Sequence, residues 1–254
     1  MRLDGVTAIV SGAASGLGEA TAREFASYGA TVVVADVDVD RGKAVADDIS
    51  GTFVATDVRD EASVAAAVEQ AANVGPPLRV AVCCAGIAPA SRTVERDGTP
   101  HPADVFEDVL RINLIGTFNL VKHAASAIRG TQPTEDGDRG VIVMTASITA
   151  TEGQVGQAAY AASKAGVAGL VLPVARDLAF AGIRVCCIAP GVFDTPLVGA
   201  MPKPQRAELA RDIVYPRRLG RPPEYAAAAR SIVENGYLNG MVLRLDGALR
   251  MPPM

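Results

Sequence analysis

The sequence predicts an α/β fold: one domain on a seven-stranded parallel sheet, doubly wound with helices flanking both faces. Three observations predict it. Short Val- and Ile-rich runs recur along the chain and are apolar nearly throughout, as strands are when both faces of their sheet are covered. Longer amphipathic or alanine-rich stretches separate these runs, and such alternation builds a parallel sheet through right-handed crossovers. The alternation is continuous over residues 1–254, with no linker and no internal repeat.

In chain order, the apolar run Val6–Val10 predicts the first strand, and it passes through a glycine-rich turn into helix Leu17–Tyr28. The Val-rich run Thr31–Ala35 is the second strand, followed by helix Arg41–Ile49. Short strand Thr52–Ala55 and alanine-rich helix Glu61–Ala72 come next, then strand Val80–Cys84. A single long helix is predicted over Ala103–Ile128, then strand Val141–Ala146, helix Gln157–Phe180 and strand Ile183–Ala189. Helix Pro222–Glu234 and strand Met241–Leu245 complete the pattern. Three stretches interrupt it: polar Ala88–Pro102, polar Gly130–Gly140, and irregular Gly191–Pro204, which follows the sixth strand. Open α/β sheets bind ligands at the carboxyl ends of their strands, which is where that third stretch falls.

Composition narrows the function. About half of the 254 residues are apolar, enough for a sizeable core. The net charge is −4 with both signs interspersed, so no basic stripe suits nucleic acid. No uninterrupted apolar run reaches the roughly 20 residues of a membrane span. The N-terminal residues lack the order of a secretory signal, and a cytoplasmic location is expected. Four cysteines form two adjacent pairs, Cys83-Cys84 and Cys186-Cys187, each within a strand. Strand neighbours point to opposite faces, so the pairs read as free thiols and not as a metal or disulfide site. With His101 and His123 the only histidines, no metal site is expected. His123 reads as structural; for His101, in an irregular polar stretch, a place at the substrate mouth is the lesser alternative.

The turn after the first strand runs Ser11-Gly12-Ala13-Ala14-Ser15-Gly16-Leu17-Gly18. Glycines let the backbone turn tightly and approach a pyrophosphate, and the following helix N-terminus favours the anion. Asp36 ends the second strand, placed to hydrogen-bond adenosine ribose hydroxyls. It also repels a 2′-phosphate: at ~4 Å and an effective dielectric near 20, one like-charge pair costs on the order of 4 kcal/mol. No Arg or Lys lies between Gly12 and Gly18 to offset that, so NAD is favoured over NADP. The spacing is Gly-x3-Gly-x-Gly and not the usual G-x-G-x-x-G fingerprint; a structural tight turn is the alternative, and the position after the first strand favours phosphate binding at a Rossmann-type dinucleotide site.

Ser147 follows the fifth strand, and Tyr160 and Lys164 stand four residues apart on one face of a helix. A free phenol is a poor base near neutral pH, and an adjacent cation favours its ionised form. The pair suits proton exchange with an alcohol/ketone couple, with Ser147 holding the carbonyl oxygen.

Over its whole length the chain resembles the short-chain dehydrogenase/reductase family. Gly12, Gly16, Gly18, Asp36, Asp57-Val58, Cys84-Ala85-Gly86, Asn113, Ser147, Tyr160, Lys164 and Pro190-Gly191 carry the resemblance. It implies that Tyr160 is the general acid/base, that Lys164 binds the nicotinamide ribose and that Ser147 orients substrate with Gln157. Asn113 would complete a proton relay through water. Asp57 and Val58 would flank the adenine, and Phe193 and Thr195 the nicotinamide end. Ser15 and Leu17 belong to the same cofactor-binding turn.

Within the family the resemblance is to type II 3-hydroxyacyl-CoA dehydrogenases. It rests on Thr145–Ser147, Glu152–Tyr160, Ala189–Leu197 and the segments Leu238–Gly240 and Arg244–Ala248. Hydride transfer between NAD(H) and a 3-hydroxyacyl-CoA/3-oxoacyl-CoA couple is therefore expected, in a homotetramer assembled through the two long helices. A hydroxysteroid dehydrogenase fits the apolar region Val192–Met201 as well. A 3-oxoacyl-carrier-protein reductase is disfavoured by Asp36, and a non-catalytic dinucleotide scaffold by the intact Ser147, Tyr160 and Lys164. Ser11 replaces the family's usual Thr, and Cys83 replaces an Asn on strand four, which puts packing there in question. Phe180, Phe193 and Tyr215 read as packing residues.

Overall fold

The computed structural model describes residues 1–199 and 210–252. Seven strands form one parallel sheet: β1 Thr7–Ser11, β2 Thr31–Asp36, β3 Thr52–Ala55, β4 Leu78–Cys83, β5 Gly140–Thr145, β6 Ile183–Pro190 and β7 Val242–Leu245. Their order across the sheet is β3-β2-β1-β4-β5-β6-β7, every pairing parallel. The winding reverses between β1 and β4, which opens a crevice at the carboxyl ends of those strands.

Helices α1 Gly16–Ser27, α2 Val39–Asp48, α3 Glu61–Asn73, α4 Ala103–Leu110, α5 Gly116–Arg129 and α6 Ala158–Leu178 precede the single turn α7 Pro196–Gly199 and α8 Pro222–Glu234. The doubly apolar strands explain the two layers. On β4, Ala81 and Cys83 face a core shared with Val64 and Val68 of α3, Leu120 and Ala124 of α5 and Val167 of α6. Val80 and Val82, one residue out of phase, face the other core with Ala22 and Phe25 of α1, Val45 of α2 and Ile232 of α8.

The cysteines obey the same period. Cys83 and Cys187 enter the first core, and Cys186 the second, with Cys84 packed against its edge. All four are free thiols. Cys83 is buried without disturbing the sheet, its Sγ directed at the Thr117 carbonyl oxygen.

Two expectations need revision. The helix predicted over Ala103–Ile128 is interrupted by a π-helical turn at Arg111–Ile115, so α4 and α5 are separate elements. The cause is local. The Asn113 amide is held by the backbone of Ile87, and Gly116 lies so close to Val58 that a Cβ would fall 2.6 Å from its Cγ2. A widened turn satisfies both. By length and composition, Ala158–Ala181 is apolar enough to cross a membrane, although no uninterrupted run was expected to qualify. The qualifying feature is an alanine- and valine-rich helix whose inner face, including Val167, Val171 and Val174, packs into the first core.

The polar loop Gly130–Gly140 is anchored by Arg139, which donates to the Thr131 and Ala181 carbonyls, and by Asp138, which meets buried Arg184 at 3.3 Å. Of the irregular stretch Gly191–Pro204 and the apolar region Val192–Met201, residues 200–204 lie outside the described residues.

Candidate active site

The glycine turn is built by close approach of two loops. Gly12 has φ +66°, and a Cβ there would lie 2.6 Å from the backbone nitrogen of Ala85. A Cβ on Gly18 would strike the Gly12 carbonyl oxygen. Only glycine permits the β1 turn to lie against the β4 turn with α1 starting directly behind it. Ser15 is the N-cap of α1, yet its side chain makes no capping bond, so the helix N-terminus faces the crevice without a side-chain acceptor. At the end of β2, Asp36 Oδ2 accepts from the Ala14 N–H at 2.9 Å and Oδ1 from the Asp38 N–H at 3.0 Å. Its carboxylate is thereby fixed beside the turn.

A pocket of about 590 Å³ runs along the carboxyl ends of the strands from this turn to α6. Its wall includes every residue expected to contact cofactor: Gly12, Ser15, Gly16, Leu17, Gly18, Asp36, Asp57, Val58, Cys84, Ala85, Gly86, Pro190, Gly191, Phe193 and Thr195, with Tyr160 and Lys164. Ser147 and Gln157 line the same space. The fit to a dinucleotide is chemical. A bare, glycine-lined helix start suits a pyrophosphate, a fixed carboxylate suits ribose hydroxyls, and Tyr160 and Lys164 stand at the far end.

Lys164 is buried, and its Nζ donates to the Thr145 carbonyl at 2.8 Å. The same Nζ lies 5.7 Å from the centroid of the Tyr160 ring. Ser147 Oγ accepts from the Thr149 N–H at 3.2 Å, which leaves its own hydroxyl proton available to donate. Beneath them, fully buried Tyr225 of α8 shares a 2.7 Å hydroxyl–hydroxyl bond with Thr145 Oγ1. Cys84 Sγ stands 3.7 Å from both oxygens. Burial pushes the Cys84 thiol and the Tyr225 phenol upward, so both stay protonated at neutral pH. Phe193 is buried edge-to-face against Tyr225 at 6.4 Å, and it serves packing while still reaching the pocket wall.

Asn113 is the exception among the expected catalytic residues. It is fully buried behind the wall and does not line the pocket. Oδ1 accepts from Ile87 N at 2.9 Å, and Nδ2 donates to Ile87 O at 2.9 Å and Ser163 Oγ at 3.0 Å. Its side chain thus fastens the β4 loop to α6.

Two further expectations are corrected, and the lesser alternative for His101 is not met. His101 does not border the pocket: its Nδ1 lies 2.7 Å from the Pro102 carbonyl, and its ring meets Phe106. Phe180 and Tyr215 are 75% and 81% exposed and belong to no core cluster among the described residues, the Arg129 guanidinium lying 5.7 Å from the Phe180 ring. His123, by contrast, has a structural contact to Glu61 at 3.3 Å.

Sequence reasoning missed Arg59, Thr149 and Met251 in the wall. Arg59 grips Asp57 with two nitrogens, at 2.7 to 3.1 Å, which holds the Asp57 carboxyl below its ordinary range. The acid–base spacing at 57 and 59 was the available signal. Thr149 is marked by a buried Oγ1 without a partner among the described residues. Met251 comes from the tail, which no local pattern points toward the site.

A family model described as Enoyl-(Acyl carrier protein) reductase matches residues 12–249. The chain is 47% identical to 3-hydroxyacyl-CoA dehydrogenase type-2 of Drosophila melanogaster, over 96% of this chain and 97% of that protein. The crystal structure of 3-hydroxyacyl-CoA dehydrogenase type-2 from Mycobacterium avium superimposes with a TM-score of 0.95 at 47% identity, covering 98% of each chain. A 7α-hydroxysteroid dehydrogenase complexed with NADH and 7-oxo glycochenodeoxycholic acid gives 0.89 at 28% identity, covering 100% of this chain and 97% of that one.

Proposed function

Because the chain belongs to the short-chain dehydrogenase/reductase family, we propose that it is an NAD-dependent oxidoreductase that interconverts 3-hydroxyacyl-CoA and 3-oxoacyl-CoA. The observation that carries the reading is the convergence of Ser147, Tyr160 and Lys164 on the end of a pocket whose other end is a glycine turn beside a fixed carboxylate. Relatives of two kinds, one acting on acyl-CoA and one bound to a steroid ketone, share the fold. The far higher identity and near-complete coverage of the former favour the thioester.

A bound nicotinamide supplies or accepts the hydride. The chain does the rest. In the oxidative direction the substrate hydroxyl gives its proton to Tyr160 Oη, and in reduction Tyr160 returns it to the carbonyl oxygen. Ser147 donates to that oxygen with the proton its bond from Thr149 leaves free, and so stabilises charge developing there. Lys164 spends one of its three N–H groups on the Thr145 carbonyl, leaving two to hold the nicotinamide ribose. Asn113 is a positioning residue. Both N–H groups of its amide are engaged, and its main-chain carbonyl accepts from Thr117 Oγ1 at 2.7 Å. Asp36 selects NAD by accepting ribose hydroxyls and repelling a 2′-phosphate.

Exposed apolar residues on the outer faces of α4, α5 and α6, among them Phe106, Phe118 and Leu172, accord with a homotetramer joined through these helices. Four unpaired thiols accord with a reducing compartment such as the cytoplasm, and the substrate class with a place in fatty acid metabolism.

The test is product identification. Incubation of 3-hydroxybutyryl-CoA with NAD should give acetoacetyl-CoA by mass spectrometry, and a hydroxysteroid under the same conditions should give far less ketone. Preferential oxidation of the steroid would replace the thioester reading.

A further inference from the structure

Beside the catalytic pocket lies a second, more open groove of about 450 Å³. One wall is Arg92, Thr93 and Val94, and the other runs from Gly153 to Ala158. Gln154 and Gln157 belong to both cavities, so the groove continues the catalytic pocket outward. Its walls are tied together, since the Ser91 N–H donates to the Gly156 carbonyl at 2.9 Å. The floor is bare at Gly153, where a Cβ would lie 3.2 Å from that of Ala161.

The groove carries two uncommitted donors. Gln157 uses Oε1 to accept from the Gln154 N–H at 3.4 Å, and among the described residues its NH₂ has no hydrogen-bond partner. The Arg92 guanidinium has no ion-pair partner among the described residues. Glu95 accepts from the Arg92 backbone N–H and not from its side chain. Glu152, next in sequence to the facing wall, is already engaged by Arg244 at 2.8 Å and Arg250 at 3.6 Å. An unneutralised cation therefore stands at the outer mouth of the pocket in a chain of net charge −4.

We propose that this groove carries the pantetheine arm of the acyl thioester away from Tyr160, with Gln157 donating to an amide carbonyl of the arm and Arg92 meeting its phosphate. The proposal rests on the acyl-CoA reading and adds where the carrier lies. An amide-rich chain ending in phosphate matches one free amide donor followed by one free cation along a single continuous channel.

The test compares acetoacetyl-CoA with acetoacetyl-pantetheine, which lacks the phosphate, as substrates for NADH oxidation by the wild-type protein, Arg92→Ala and Arg92→Lys. The KM ratio of the pantetheine to the CoA thioester should fall on the order of fivefold in Arg92→Ala, the worth of one exposed charge pair. It should recover in Arg92→Lys. Raising ionic strength should lower the same ratio in the wild-type protein. Turnover of both thioesters with an unaltered ratio in Arg92→Ala overturns the groove assignment alone. Failure of the wild-type protein to turn over either thioester overturns the acyl-thioester reading, and this proposal with it.

Discussion

Lys164 Nζ donates to the carbonyl oxygen of Thr145 at 2.8 Å, and through that bond the last residue of β5 sets the position of the ammonium beside Tyr160. Thr145 is itself held from below, because its hydroxyl is bonded to Tyr225 of α8. The acid/base pair on α6 is thus registered against the sheet by backbone, and the backbone by a buried phenol from the opposite layer.

Removing the phenolic hydroxyl at Tyr160 removes the proton that the reaction exchanges. Tyr160→Phe is expected to lower kcat by about 10²- to 10⁴-fold, the usual worth of a positioned general acid. NADH affinity, read by fluorescence titration, should be largely retained. Near-normal turnover in this variant would contradict the assigned role.

Asp36 is held by two backbone N–H groups, so its charge stays where the adenosine ribose would lie. Asp36→Ala should raise the KM for NADH and lower that for NADPH, and the ratio of kcat/KM for the two should shift by more than tenfold toward NADPH. Steady-state kinetics with both coenzymes measures it. An unmoved ratio would place coenzyme selection elsewhere in the pocket.

Tyr225→Phe leaves the Thr145 hydroxyl in a buried site without its oxygen partner. The expected loss of stability is about 1–2 kcal/mol, read from the denaturant midpoint. A variant as stable as the parent would show that Cys84 Sγ, 3.7 Å from Thr145 Oγ1, takes over the bond.

Much of this architecture could be read in the residues, because it follows from periodicity. Strands such as Thr31–Asp36 are apolar on both faces, and only a sheet covered twice accepts them. Asp36, Tyr160 and Lys164 were legible because their chemistry is local to a turn or to one helix face. Asn113 was legible as a site residue, but its side-chain role was not, since it depends on Ile87 and Ser163, 26 and 50 residues away. The π-helical turn at Arg111–Ile115 was hidden for the same reason, being imposed by tertiary bonds to a continuous helical pattern. Phe180 and Tyr215 read as packing residues by type alone, and their exposure is a property of the surface they share with solvent or another subunit.

Glu224 gives a pH signature. The Arg218 guanidinium, and then the Arg221 N–H at the start of α8, hold its carboxyl at about 2, against an ordinary 4.5. A depressed carboxyl contributes stability that is complete above its unfolded value and lost as pH falls through the folded one. Stability should therefore decline between about pH 4.5 and pH 2, modestly, because both partners are about a third or more exposed and solvent screens the pair. Glu224→Gln should flatten that part of the pH profile measured by thermal unfolding, and an unchanged slope would show that other carboxylates set it.

The measurement that bears most directly on the central claim is the rate of coenzyme oxidation with acetoacetyl-CoA, taken in parallel with NADH and NADPH. The account predicts turnover with NADH at a kcat/KM more than tenfold above that with NADPH. Absence of turnover while NADH binding is demonstrated, or equal rates with the two coenzymes, would contradict it.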